Sequence, residues 1–220
     1  MKAHKGLAMA LLVVGLIAGC SKEEAKHPSN APAQAVPQPA PKEKEGTIPV
    51  GPGPQGVYTV QAQPAPGSCH YRKTSDGQPL PDPNCTPGAT NPKVTASNLA
   101  DTICKSGYTE SIRPNSSITN PEKAANIKSY DYTGDPRDAE YDHLISLELG
   151  GDPNDPRNIW VEPPSPDHKA GNGPNNPKDG VESRLHSLVC SGKVALVDAQ
   201  VAIATDWTTA LAKVGHPNGN

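Results

Sequence analysis

The sequence predicts an α+β fold: a small disulfide-stapled domain in which two short strands and their loop are flanked by helices. Three observations predict it. Asp142–Leu149 and Asn158–Val161 carry apolar residues at strand spacing on either side of a Gly-Gly turn. Asn120-Pro121 and Asn176-Pro177 each read as a helix start, with Asn as cap and Pro in the first turn. Four cysteines lie beyond residue 66, an even set that reads as disulfides in an exported chain.

Lys2 and Lys5 precede an apolar run from Leu7 to Ala18, so residues 1–19 read as a signal peptide too short to span a membrane. Ile17-Ala18-Gly19-Cys20 resembles a bacterial lipoprotein cleavage box, which implies lipidation of Cys20 and contact with the membrane through that anchor only. Ser21, in place of Asp, implies outer-membrane sorting in a Gram-negative envelope. Residues 20–66 are rich in Pro, Ala and Gln and read as a linker, able to reach about 140 Å if fully extended. Val57–Val60 is a weak strand-like island within it. Residues 67–220 are the expected domain.

Within that domain, residues 67–92 read as irregular, tied by a Cys69–Cys85 bridge. Thr95–Cys104 reads as a short helix, Tyr108–Arg113 as a strand, and the Asn120-Pro121 helix ends near Lys128. The strand at Asp142–Leu149 turns at Gly150-Gly151 and returns at Asn158–Val161. The next helix runs to Cys190, with Val181, Leu185 and Leu188 on one face and Asp179, Glu182 and His186 on another. A last helix, Val197–Val214, buries Ala199, Ile203, Trp207 and Leu211. The four cysteines allow three pairings; Cys69–Cys85 with Cys104–Cys190 is favoured. A cysteine zinc site lacks any C-x-x-C pair.

Composition excludes some classes. Phe is absent, aromatics are 4%, and 26 Pro and 20 Gly mark chain that enters no core, ruling out a polytopic membrane protein. From residue 67 onward 14 Lys+Arg face 19 Asp+Glu, a net −5. That opposes a general nucleic-acid coat, yet suits an acidic site that recruits a divalent cation.

The most informative segment is Asp142-His143-Leu144-Ile145-Ser146-Leu147-Glu148-Leu149-Gly150-Gly151, followed by Arg157-Asn158-Ile159-Trp160. It resembles the HNH group of His-Me finger (ββα-metal) nucleases, with fifteen positions from His143 to Asn158. The wider likeness is to exported bacterial HNH-like proteins and spans Leu80 to Leu211, through Cys85-Thr86-Pro87-Gly88, Gly107-Tyr108-Thr109, Lys178-Asp179 with Glu182, and Asp206-Trp207. It implies a metal-dependent endonuclease on DNA or RNA, using Mg²⁺ or Mn²⁺, with Zn²⁺ the alternative.

Phosphodiester cleavage needs a water deprotonated near neutral pH and a cation for the charge that builds on the phosphate. The resemblance makes His143 the general base and Asp142 a metal ligand. Asn158 either ligates the metal or fixes the loop that holds the histidine. Asp179 or Glu182 completes the metal site, with His168, ten positions after Asn158, as the other candidate. Tyr141 and Ser146 depart from the pattern. The rival expectation is an envelope-binding module that reuses the scaffold without turnover. A weaker third is hydrolysis of another phosphoester or of a cell-wall polymer. His70, His186 and His216 receive no role.

Overall fold

A computed structural model describes residues 47–218, all within one compact unit. The expected signal peptide, the Cys20 expected to be lipidated and the part of the expected linker before residue 47 lie outside the described residues. None of the described helices is long and apolar enough to cross a membrane.

Two small antiparallel sheets, Arg72–Lys73 (β1) with Pro79–Leu80 (β2) and Glu140–His143 (β3) with Ile159–Glu162 (β4), are set among the helices Tyr108–Ile112 (α1), Ser116–Ser129 (α2), Lys178–Cys190 (α3), Leu196–Thr205 (α4) and Ala210–Lys213 (α5). The α+β class and both disulfides, Cys69–Cys85 and Cys104–Cys190, stand as expected.

The central hairpin is shorter than its apolar pattern suggests. β3 pairs Glu140 with Glu162, Tyr141 with Val161, Asp142 with Trp160 and His143 with Ile159. Leu144 N–H still donates to the Asn158 carbonyl, at 2.7 Å. Beyond it the Asn158 side chain replaces a partner strand, and Leu147–Leu149 forms a 3-10 turn. Leu144, Ile145, Leu147 and Leu149 are all buried, so their spacing reflects a buried turn and not a two-faced strand. Gly150 takes a φ of 73°, and a Cβ on Gly151 would fall 1.8 Å from the Ile145 carbonyl oxygen. Both glycines are therefore demanded by the turn.

Other elements also depart from expectation. Of Tyr108–Arg113, Tyr108–Ile112 is helical (α1) rather than a strand and follows Gly107 at φ 81°, while Arg113 is extended. Thr95–Cys104 holds only a 3-10 turn at Leu99–Asp101. α2 starts five residues before Pro121, because Asn115 Oδ1 accepts from Ser117 N–H at 2.9 Å and supplies the cap. α3 starts as read, with Asn176 Oδ1 accepting from Lys178 N–H at 3.1 Å. The last helix breaks at Asp206, whose extended backbone and side chain cap a new turn at Thr208. Its stripe of Ala199, Ile203, Trp207 and Leu211 is nonetheless buried in the main core with Leu185, Leu188 and Val189.

The chain from 47 to 66, read as linker, lies against the domain. Gly53 N–H donates to Asp152 Oδ2 at 2.6 Å, Tyr58 Oη to the Ile112 carbonyl at 2.5 Å, and Gln61 N–H to Glu122 Oε1 at 2.7 Å. Ser129 Oγ donates to the Pro64 carbonyl at 2.5 Å. Composition hides this docking, since an extended Pro-rich segment is held here mainly through its backbone groups.

A second cluster packs Tyr71, Tyr130 and Trp160 rings 4.6–6.1 Å apart beside Cys69. The bridge there closes a separation of 16 residues. Replacing both Cys69 and Cys85 by Ser is expected to lower unfolding free energy by about 3 kcal/mol on the chain-entropy account. Urea denaturation of the full chain checks it.

Candidate active site around His143 and Lys178

His143 ends β3, is 7% exposed, and has its Nε2 3.1 Å from the Pro153 carbonyl. A carbonyl only accepts, so Nε2 carries the proton and Nδ1 keeps the lone pair. Among the described residues Nδ1 has no hydrogen-bond partner. Burial drives the ring pKa down to about 4 against the upward pull of Asp142, and the Arg113 and Lys178 charges add to the depression. At pH 7 the imidazole is neutral.

Asn158 is the clamp that places this ring. It is fully buried, its Oδ1 accepts from Ile145 N–H at 3.1 Å and Ala89 N–H at 3.3 Å, and its Nδ2 donates to the Ile145 and Asp152 carbonyls, both at 3.0 Å. With both oxygen lone pairs engaged, it has none for a metal. Its four hydrogen bonds tie the backbone of Ala89, Ile145 and Asp152 together. Asp152 continues the clamp, accepting from Asn154 and Asp155 N–H groups and so shaping the turn that presents Pro153.

Asp142 and Glu182 do converge, but on an ammonium. Lys178, at the first position of α3, is fully buried. Its Nζ donates to Asp142 Oδ2, to Glu182 Oε1 at 2.6 Å and to the His143 carbonyl at 3.1 Å, with Glu162 Oε2 at 3.7 Å. Burial opposes the charged forms of Asp142 and Lys178, but their mutual attraction outweighs it: the carboxyl stays below, and the ammonium well above, its ordinary pKa. Burial pushes the Glu162 carboxyl well up and that of Glu182 up to about 8, against the downward pull of the Lys178 charge on both. Asn176 Nδ2 reaches Glu140 and Asp142, both at 3.3 Å.

The remaining expected ligands lie apart from this point or outside it. His168 Nε2 is 3.3 Å from Asp138 Oδ2, in a loop tied by Gly171 and Gly173 N–H groups to the same carboxylate. Asp179 is exposed at the start of α3. It borders a cavity of about 220 Å³ with Arg113, Ser146, Glu148 and Glu182. Arg113 is exposed there and its guanidinium has no ion pair among the described residues. Ser146 Oγ is buried without a hydrogen-bond partner among the described residues.

The expected divalent ion fits this arrangement poorly. Its oxygen donors already surround Lys178 Nζ, and an ion about 4 Å from that ammonium would meet about 8 kcal/mol of repulsion at an effective dielectric of about 20. A second grouping, Cys104, His186 and Cys190, gathers ligand atoms within 4.8 Å. Both sulfurs are joined to each other, however, and offer no thiolate; His186 Nε2 donates to the Ile103 carbonyl at 2.9 Å.

Sequence reasoning missed Lys178, Glu162 and Arg113. Lys178 had one usable signal, its place one residue before Asp179 and four before Glu182 at a helix start. No protein family, curated protein or solved structure matches the chain.

Proposed function

We propose that the chain hydrolyses phosphodiester bonds of nucleic acid, DNA or RNA, as an endonuclease tethered outside the cytoplasm by a lipid on Cys20. The observation that carries this reading is the His143 ring: anchored through Nε2–H, neutral at pH 7, with Nδ1 bare. Nδ1 takes a proton from water as the water oxygen bonds to phosphorus. The phosphorus–oxygen bond to the leaving group breaks, its electron pair stays on that oxygen, and solvent protonates it. A bound phosphate anion beside the ring raises its basicity as the substrate arrives. Arg113 faces the charge on the non-bridging oxygens, and Ser146 Oγ has a hydrogen bond to give.

One feature favours the rival reading of a binding module without turnover: Glu148 and Asp179 also edge the cavity and repel a phosphate. Incubating the full chain with supercoiled plasmid, single-stranded DNA and RNA decides between them. Nicking or shortening of any of these supports the enzyme. Retention on nucleic acid without cleavage supports the module, and neither result removes the nucleic-acid assignment.

The acid limb of activity identifies the base. Protonating Nδ1 abolishes its function, so kcat/KM is expected to fall with decreasing pH around about 4, the value of the buried ring. A free histidine would place that limb near 6.5. A pH–rate profile measures it.

A further inference from the structure

We propose that the Lys178 ammonium is the resident cation of this site, standing among Asp142, Glu162, Glu182 and the His143 carbonyl where a divalent ion would stand, so that the cage holds no divalent metal and the charge on the phosphate is met by Arg113 instead. The inference rests on the phosphodiesterase reading and departs from the metal dependence that the HNH resemblance implies.

Coordination geometry carries it. An ammonium has three N–H donors, and Lys178 directs them to Asp142 Oδ2, to Glu182 Oε1 at 2.6 Å and to the His143 carbonyl at 3.1 Å. The fourth oxygen, Glu162 Oε2 at 3.7 Å, accepts no hydrogen bond. The side chain is 0% exposed and its salt-bridge partners Asp142, Glu162 and Glu182 are at most 15% exposed, so the ammonium is enclosed in the cage rather than lying over it. Lys178 does not line the cavity that Asp179 and Glu182 border. It is a positioning residue that acts through Asp142 and through the backbone of the base itself.

Charge agrees with geometry: a divalent ion placed among these same oxygens would stand beside an enclosed ammonium and be repelled by it.

Equilibrium dialysis with Mn²⁺ on the full-length wild type tests the cage directly, whatever the activity. No saturable site is expected at millimolar Mn²⁺. Lys178→Ala is expected to gain one site and a Mn²⁺-dependent rise in melting temperature, both lost on adding Asp142→Asn. In parallel, wild-type cleavage is expected to show no loss of rate in EDTA. A wild-type Mn²⁺ site removed by Asp142→Asn, together with cleavage that stops in EDTA and returns with Mn²⁺, would overturn the inference and leave the phosphodiesterase reading intact. Absence of cleavage in every buffer sinks that reading instead, while the dialysis still decides which cation the cage holds.

Discussion

Full-length His143→Ala is expected to cleave nucleic acid about 10²- to 10⁴-fold more slowly than wild type, the usual contribution of a positioned base. The variant also frees the Pro153 carbonyl, which costs about 1–3 kcal/mol if that group stays buried. His143→Gln separates the two effects. Its side-chain amide is able to donate to Pro153 yet carries no lone-pair nitrogen to take a proton. Loss of rate in both variants, with melting recovered toward wild type in His143→Gln, assigns the loss to proton transfer. A His143→Gln enzyme near wild-type rate would move the base elsewhere.

Lys178→Met is expected to lower unfolding free energy by about 3–5 kcal/mol, since it leaves Asp142 enclosed without its counter-charge. The sign with pH follows from the carboxyl. Without the ammonium, burial raises the folded-state pKa of Asp142 above its unfolded value, so the variant loses stability as pH rises through the unfolded carboxyl range and beyond. Its deficit against wild type is therefore smaller at acid pH than at neutral pH. Adding Asp142→Asn removes the stranded charge and is expected to restore part of the loss, the coupling expected of groups in direct contact. Urea denaturation of the single and double variants at acid and neutral pH measures both effects.

Several parts of this arrangement were legible because they are local. The Asn176 cap, the pair Asp142-His143 and the spacing of Asp179 and Glu182 sit within a few residues of the features they govern. The two bridges were legible from cysteine count and loop length. The spacing at 144–149 imitates a strand because Leu144 and Ile145 are buried ahead of a 3-10 turn that buries Leu147 and Leu149, and the turn depends on Gly151, where a Cβ would meet the Ile145 carbonyl. Lys178 was passed over since lysines are nearly always solvated, and what encloses this one comes from β3, β4 and α3 together. Glu162 sits three residues beyond the returning strand's first residue and joins the cluster only through that strand's register. Arg113 reaches the cavity from the extended residue that follows α1, a helix whose residues read as a strand. His168 has the right interval from Asn158, but its loop carries it to Asp138, a contact that spacing does not encode.

Imidazole nitrogen NMR of the full chain, with His143→Gln to assign the ring, tests the base most directly. The prediction is a neutral His143 protonated on Nε2 and bare on Nδ1 at pH 7, gaining its second proton only near pH about 4. A ring protonated on Nδ1 instead, or one that titrates near the ordinary value of about 6.5, contradicts it.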